Sequence, residues 1–76
     1  MAVTIYTTPT CGFCHMAKSY LKNNNVPFTE HNVAQDSQKA QEMVKKSGQM
    51  GVPVLDVNGK IIIGFDRAAI DKALKH

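Results

Sequence analysis

The spacing of apolar and polar positions changes several times along this chain of 76 residues, and each change marks an element. Residues 2–7, AVTIYT, are β-branched and aromatic and predict a strand, which Thr8-Pro9-Thr10 breaks. Over residues 12–24 the apolar side chains Phe13, Met16, Ala17, Tyr20 and Leu21 recur at helical spacing and predict an inward face. Asn23-Asn24-Asn25 ends that helix, because short amide side chains favour turns and tolerate left-handed backbone. Residues 28–32 are short and only half apolar, as suits an edge strand. Asp36 or Ser37 can cap a second helix running to residue 46, with Ala40, Met43 and Val44 inward, Lys45 and Lys46 at its negative end and Gly48 as its stop. Residues 53–57 and 60–63 are two β-rich runs joined by Asn58-Gly59, a strong hairpin signal because both residues accept positive φ. Asp66 caps a last helix over residues 67–75, with Ala69, Ile70, Ala73 and Leu74 inward.

The order β-α-β-α-β-β-α makes the first two strands parallel through a right-handed crossover and the last two antiparallel through the hairpin. The economical solution is an α/β fold: one mixed four-stranded sheet with helices on both faces, forming a single domain over residues 1–76.

Composition narrows the possible functions. With 43% apolar and 20% charged residues the chain is an ordinary globular domain. No apolar run approaches the roughly 20 residues of a membrane span. The start, MAVTIYTT, lacks the basic and apolar segments of a signal peptide, so a cytoplasmic location is expected. The net charge of +3 is dilute. Its lysines are spread along the chain without interleaved aromatics, which argues against a nucleic-acid platform and leaves mild steering of an anionic substrate or acidic partner.

The two cysteines, Cys11 and Cys14, carry the candidate chemistry. In a reducing compartment a structural bridge is not expected, and one closing so short a loop would constrain the unfolded chain little. Followed by His15, the pair also spells the C-x-x-C-H of c-type haem attachment. That reading needs an exported chain and a helical cage, whereas these cysteines fall at a strand-to-helix junction; Met43 and Met50, possible axial ligands, read as core filler. A closed zinc site needs a second ligand pair, and His15, His31 and His76 are scattered and read as surface residues. A dithiol fits the position. Cys11 lies at the start of the first helix, where unpaired N–H groups and the helix dipole stabilise a thiolate, and Cys14 follows on the same helical face, within reach of a bond back. Gly12 lets the turn form, and Phe13 offers a flat apolar surface beside the sulfur. The expected cycle is attack by Cys11 on a substrate disulfide, then release of the product by Cys14.

Over nearly its whole length the chain resembles a small glutaredoxin. TIYTTPTCGFCHMAKSYL is similar to that family's strand, active-site loop and helix, and MGVPVLDVNGKIIIGFD resembles its second signature. The resemblance implies a thioredoxin-like fold with a cis bond before Pro53, and a glutathione site in which the Val52 backbone pairs with the tripeptide. Thr8, Phe13 and Pro53 belong to the same implied site, and Gly64, Phe65 and Asp66 would receive the γ-glutamyl end. It implies no bound cofactor, glutathione as co-substrate, disulfide-containing proteins as partners and a monomer. Three positions depart from the family pattern: Thr8 replaces a usual lysine, Gly64-Phe65 a Gly-Gly, and Gly12-Phe13 the commoner Pro-Tyr. Gly64-Phe65 is also similar to redoxins that serve ribonucleotide reductase and are recharged by thioredoxin reductase, although Ile62-Ile63 stands where those carry Trp-Ser. Gly12-Phe13 resembles single-cysteine cluster-binding glutaredoxins, which makes an iron–sulfur carrier a third reading.

Overall fold

A computed structural model describes residues 2–75. The chain runs through β1 (Val3–Thr7), α1 (Gly12–Asn23), β2 (Thr29–Asn32), α2 (Ser37–Ser47), β3 (Val54–Val57), β4 (Lys60–Ile63) and α3 (Arg67–Lys75). Local chemistry accounts for most of these boundaries. Asp36 is the N-cap of α2, its carboxylate accepting the Lys39 N–H at 3.1 Å. Gly48 ends that helix at φ +74°, a left-handed conformation that costs glycine nothing. In the β3–β4 turn Asn58 and Gly59 both have positive φ, 53° and 92°, and the Asp56 carboxylate accepts the Gly59 N–H at 2.8 Å.

The strands lie in the order β2-β1-β3-β4. β1 pairs with β2 in parallel and with β3 antiparallel, and β3 pairs with β4 antiparallel. Both short outer strands are edges, as expected for β2. The register sets Ile5 opposite Leu55 and Leu55 opposite Ile62, an apolar row across three strands. That row joins Val3, Val57, Ala17 and Leu21 of α1, and Ile70 and Ala73 of α3, in the main core. Each fully buried valine, leucine or isoleucine side chain there contributes about 1.5–3 kcal/mol.

Side chains on the opposite sheet face meet α2, where Tyr6, Met43 and Val54 form a smaller core. Its border is polar: the Tyr6 hydroxyl donates to Glu42 and accepts from Lys46 at 3.0 Å, and Lys46 also reaches Asp56 at 2.8 Å. Among the described residues no helix is long and apolar enough to cross a membrane.

The inward face of α1 differs from the expected one. Phe13 and Met16 are 63% and 51% exposed, and the row facing the sheet is Cys14, Ala17 and Leu21. Two rows with the same helical spacing run side by side on this helix, Phe13-Met16-Tyr20 and Cys14-Ala17-Leu21. The row of smaller side chains at its N-terminal end lets α1 approach the sheet closely, so periodicity alone did not set the helix's rotation.

Candidate dithiol site

Thr8-Pro9-Thr10 leads from the end of β1 to Cys11, whose backbone is extended and whose N–H donates to the Thr8 carbonyl at 3.3 Å. Cys11 is the N-cap of α1. Its Sγ takes the place of the usual capping oxygen and accepts the Cys14 N–H at 3.1 Å. The Cys11 thiol also lies 3.8 Å from the Val52 carbonyl oxygen, to which it can donate.

Cys14 sits one turn deeper. It is fully buried, and burial, aided by the neighbouring Cys11 sulfur, pushes its thiol up to about 12. Both cysteines are free thiols. The half-buried outer sulfur caps a helix and the inner one is sealed beneath it, so the pair has one reactive face. This arrangement can perform sequential thiol–disulfide exchange.

The Val52–Pro53 peptide bond is cis. Pro53 lies just before β3 rather than within it, and its carbonyl accepts the Gly64 N–H at 2.8 Å. The stretch from Val52 beside Cys11 is thereby tied to Gly64, where φ of +80° suits a residue without Cβ. The Phe65 ring meets the Tyr20 ring edge-on, with centroids 5.9 Å apart, and packs against the main core. Asp66 is exposed, and its carboxylate accepts the Ala69 N–H at 3.1 Å, capping α3 as expected. Thr8 and Val52 thus lie at Cys11, Pro53 and Gly64 follow by a direct hydrogen bond, and Phe65 and Asp66 lead away into α3. Phe13 stands outside on the first turn of α1.

A cleft of about 360 Å³ runs along the exposed side of α1, lined by His15, Met16, Tyr20, Phe65 and Arg67 among others. The outward Met16 belongs to it, a role hidden when that residue is assigned to the core. His15 Nε2 lies 3.2 Å from the Pro9 carbonyl oxygen. His31 packs against the Tyr6 ring, and His76 lies outside the described residues.

Behind the dithiol is a group that no motif announces. The buried Thr7 hydroxyl donates to Glu30 Oε2 at 2.6 Å, and Lys18 Nζ reaches the same oxygen at 2.9 Å. These two donors hold the Glu30 carboxyl below its usual range, Thr7 contributing most. Lys18 is four residues beyond Cys14 on α1, whereas Glu30 comes from edge strand β2.

A family model described as glutaredoxin matches residues 3–62. A glutaredoxin-like 8.6 kDa protein in the rubredoxin operon of Clostridium pasteurianum is 47% identical over 73 residues, covering 96% of this chain and 97% of that one. Among solved structures, a thioredoxin-like protein superposes with a TM-score of 0.91 at 25% identity, over 96% of this chain and 94% of the other. A glutaredoxin-like protein of Escherichia coli, NrdH-redoxin, described as having a thioredoxin-like activity profile, gives a TM-score of 0.85 at 28% identity, over 95% and 93% of the two chains.

Proposed function

The chain belongs to the glutaredoxin family of thiol redox proteins, and from that premise we propose a thiol–disulfide oxidoreductase that works through a Cys11/Cys14 dithiol and draws its electrons from glutathione. The observation that carries this reading is the Cys11 sulfur at the N-cap, accepting the Cys14 N–H, with Cys14 buried beneath it. In the proposed cycle the Cys11 thiolate attacks a substrate disulfide and expels one thiol. Cys14 then attacks the Cys11 sulfur and expels the second, so the substrate gains two electrons and the pair becomes a disulfide. A pair that must start each cycle as two free thiols suits a reducing compartment, the cytoplasm.

Glutathione as reductant is supported by the main chain beside Cys11. A tripeptide bonded to that sulfur meets the Val52 carbonyl at once, with Gly64 bonded to the neighbouring Pro53. Asp66 at the start of α3 offers a carboxylate for an ammonium group.

A second reading, recharging by thioredoxin reductase with ribonucleotide reductase as a target, has its own support. Position 8 is threonine rather than lysine, and the nearby Lys18 is engaged by Glu30. The similarity to NrdH-redoxin points the same way.

One experiment separates the two readings: NADPH-coupled turnover of a glutathione mixed disulfide and of a protein disulfide, supplied either with glutathione and its reductase or with thioredoxin reductase. Turnover with glutathione is the expected result. Turnover with thioredoxin reductase alone would replace the first reading with the second, and none with either donor would overturn both.

A further inference from the structure

Resolution of the mixed disulfide requires the less accessible thiol to lose its proton, and among the described residues Lys18 is a cation held in place near Cys14. Lys18 lies one helical turn beyond Cys14, on the same side of α1. A lysine side chain on a helix ordinarily extends into water with its full rotamer freedom. Here its ammonium is bound to Glu30 at 2.9 Å, and the same Glu30 oxygen accepts the buried Thr7 hydroxyl at 2.6 Å. The anchor therefore joins α1 to two strands.

We propose that Lys18, held by Glu30 and Thr7, is a positioning residue that stabilises the Cys14 thiolate during the resolving step. This role rests on the dithiol reading above. In that step Cys14 gives its proton to solvent, its sulfur bonds to the Cys11 sulfur, and the Cys11–substrate S–S bond breaks. The departing thiolate carries the electron pair and takes up a proton from solvent.

The other groups near Cys14 do not supply this charge. Cys11 is the sulfur under attack and, bonded to the substrate in the mixed disulfide, carries no charge. His15 is directed to the Pro9 carbonyl, Thr7 and Thr8 do not titrate, and neither Val52 nor Pro53 carries a titratable side chain. Glu30 alone has the wrong sign. Paired with Lys18 it restrains the ammonium, and the favourable influence on Cys14 is that of the lysine.

Stopped-flow reduction of dithiobis-nitrobenzoate tests the proposal, because attack by Cys11 and resolution by Cys14 each release one coloured thiolate. The pH dependence of both phases is measured for the wild type and for Lys18→Met, Lys18→Gln and Lys18→Arg. In the two neutral variants the second phase should shift its midpoint upward by roughly 0.5–1 pH unit, with the first phase unmoved and Lys18→Arg restoring the wild-type profile. A second phase with an unchanged midpoint in the neutral variants, or Lys18→Arg behaving like them, overturns the inference. Absence of a second phase in the wild type overturns the dithiol reading itself, which keeps the two failures apart. Should the neutral variants prove unstable, the Cys14 thiolate can be titrated directly by ultraviolet absorption in a Cys11→Ser background, with and without Lys18→Gln, at reduced temperature. An upward shift with Lys18→Gln is expected there too, and its absence overturns the role of the lysine.

Discussion

Cys11 and Cys14 share one turn of α1, yet the regions around them are built on different principles. At the rim, Cys11 meets main chain: the Cys14 amide, the Thr8 carbonyl and the Val52 carbonyl. Around it the surface is apolar and open, with Phe13 and Met16 more than half exposed. At the floor, Cys14 is closed off by the sheet, and the polar groups behind it are side chains from three elements, Thr7, Lys18 and Glu30. A rim of backbone contacts tolerates many side chains and leaves room for a second molecule. A floor of side-chain contacts depends on particular residues and leaves no such room. The two thiols consequently differ in access, although only two residues separate them.

The largest test of that division is removal of each sulfur. Cys11→Ser leaves a helix cap but no nucleophile, so all disulfide chemistry should disappear, a loss of about 10³-fold or more for every substrate. Cys14→Ser should remove protein-disulfide reduction to a similar extent while sparing deglutathionylation, because external glutathione can resolve a mixed disulfide at the open rim. Parallel assays on a protein disulfide and on a glutathione mixed disulfide read both outcomes. Equal loss of the two activities in Cys14→Ser would break the division of labour between rim and floor.

Much of this architecture is legible in the sequence because its signals are local. Asn58-Gly59 encodes its turn in two residues, Asp36 and Gly48 mark the ends of α2, and Thr8-Pro9-Thr10 ahead of C-x-x-C sets Cys11 at a helix start. Helix rotation was less legible, since Phe13-Met16-Tyr20 and Cys14-Ala17-Leu21 fit the same period and only packing against the sheet chooses between them. The group behind Cys14 was not legible at all. Lys18 and Glu30 are separated by 12 residues and Thr7 and Glu30 by 23, and their meeting depends on the parallel register that pairs Ile5 with Glu30. No pattern along the chain encodes a contact fixed by strand register and helix rotation together.

A smaller effect should appear in stability rather than activity. The folded-state pKa of Cys14, about 12, lies above the roughly 8.5 of an unfolded thiol. The folded protein therefore keeps a proton that the unfolded chain releases. The stabilisation is complete below pH ~8.5 and declines as pH rises toward 12. Urea unfolding of the reduced protein between pH ~7.5 and ~10 should show falling stability, with a flatter decline in Cys14→Ala. Tyr6 and Tyr20 also titrate above their ordinary value, Tyr6 chiefly through burial and Tyr20 through its hydrogen bond to Asp71, and Lys46 is held protonated by its hydrogen bond to Asp56, so above pH ~10 all three add to the decline from Cys14. An identical slope in wild type and Cys14→Ala below pH ~10 would mean that the floor does not hold its thiol in the protonated form.

The smallest expected effect concerns the rim and its choice of reductant. Thr8 is half-buried, accepts the Cys11 N–H through its carbonyl and offers no charge to an anionic substrate. A lysine there keeps that backbone contact and adds an ammonium beside the open sulfur, where a carboxylate of glutathione can meet it across partly solvated space. Partly exposed ion pairs of this kind contribute about 0.5–1 kcal/mol, so Thr8→Lys should lower the KM for glutathione by about two- to fivefold. The change should be largest at low ionic strength, because salt screens an exposed pair. The same variant should leave the alkaline decline in stability untouched, because Thr8 stands at the rim and the burial that holds the Cys14 proton is unchanged. A lower KM with an unchanged alkaline limb would separate the two regions within one substitution. An unchanged KM at low salt would mean that the missing lysine is not what distinguishes this rim, and that its specificity lies in the main chain of Val52 and the turn at Gly64.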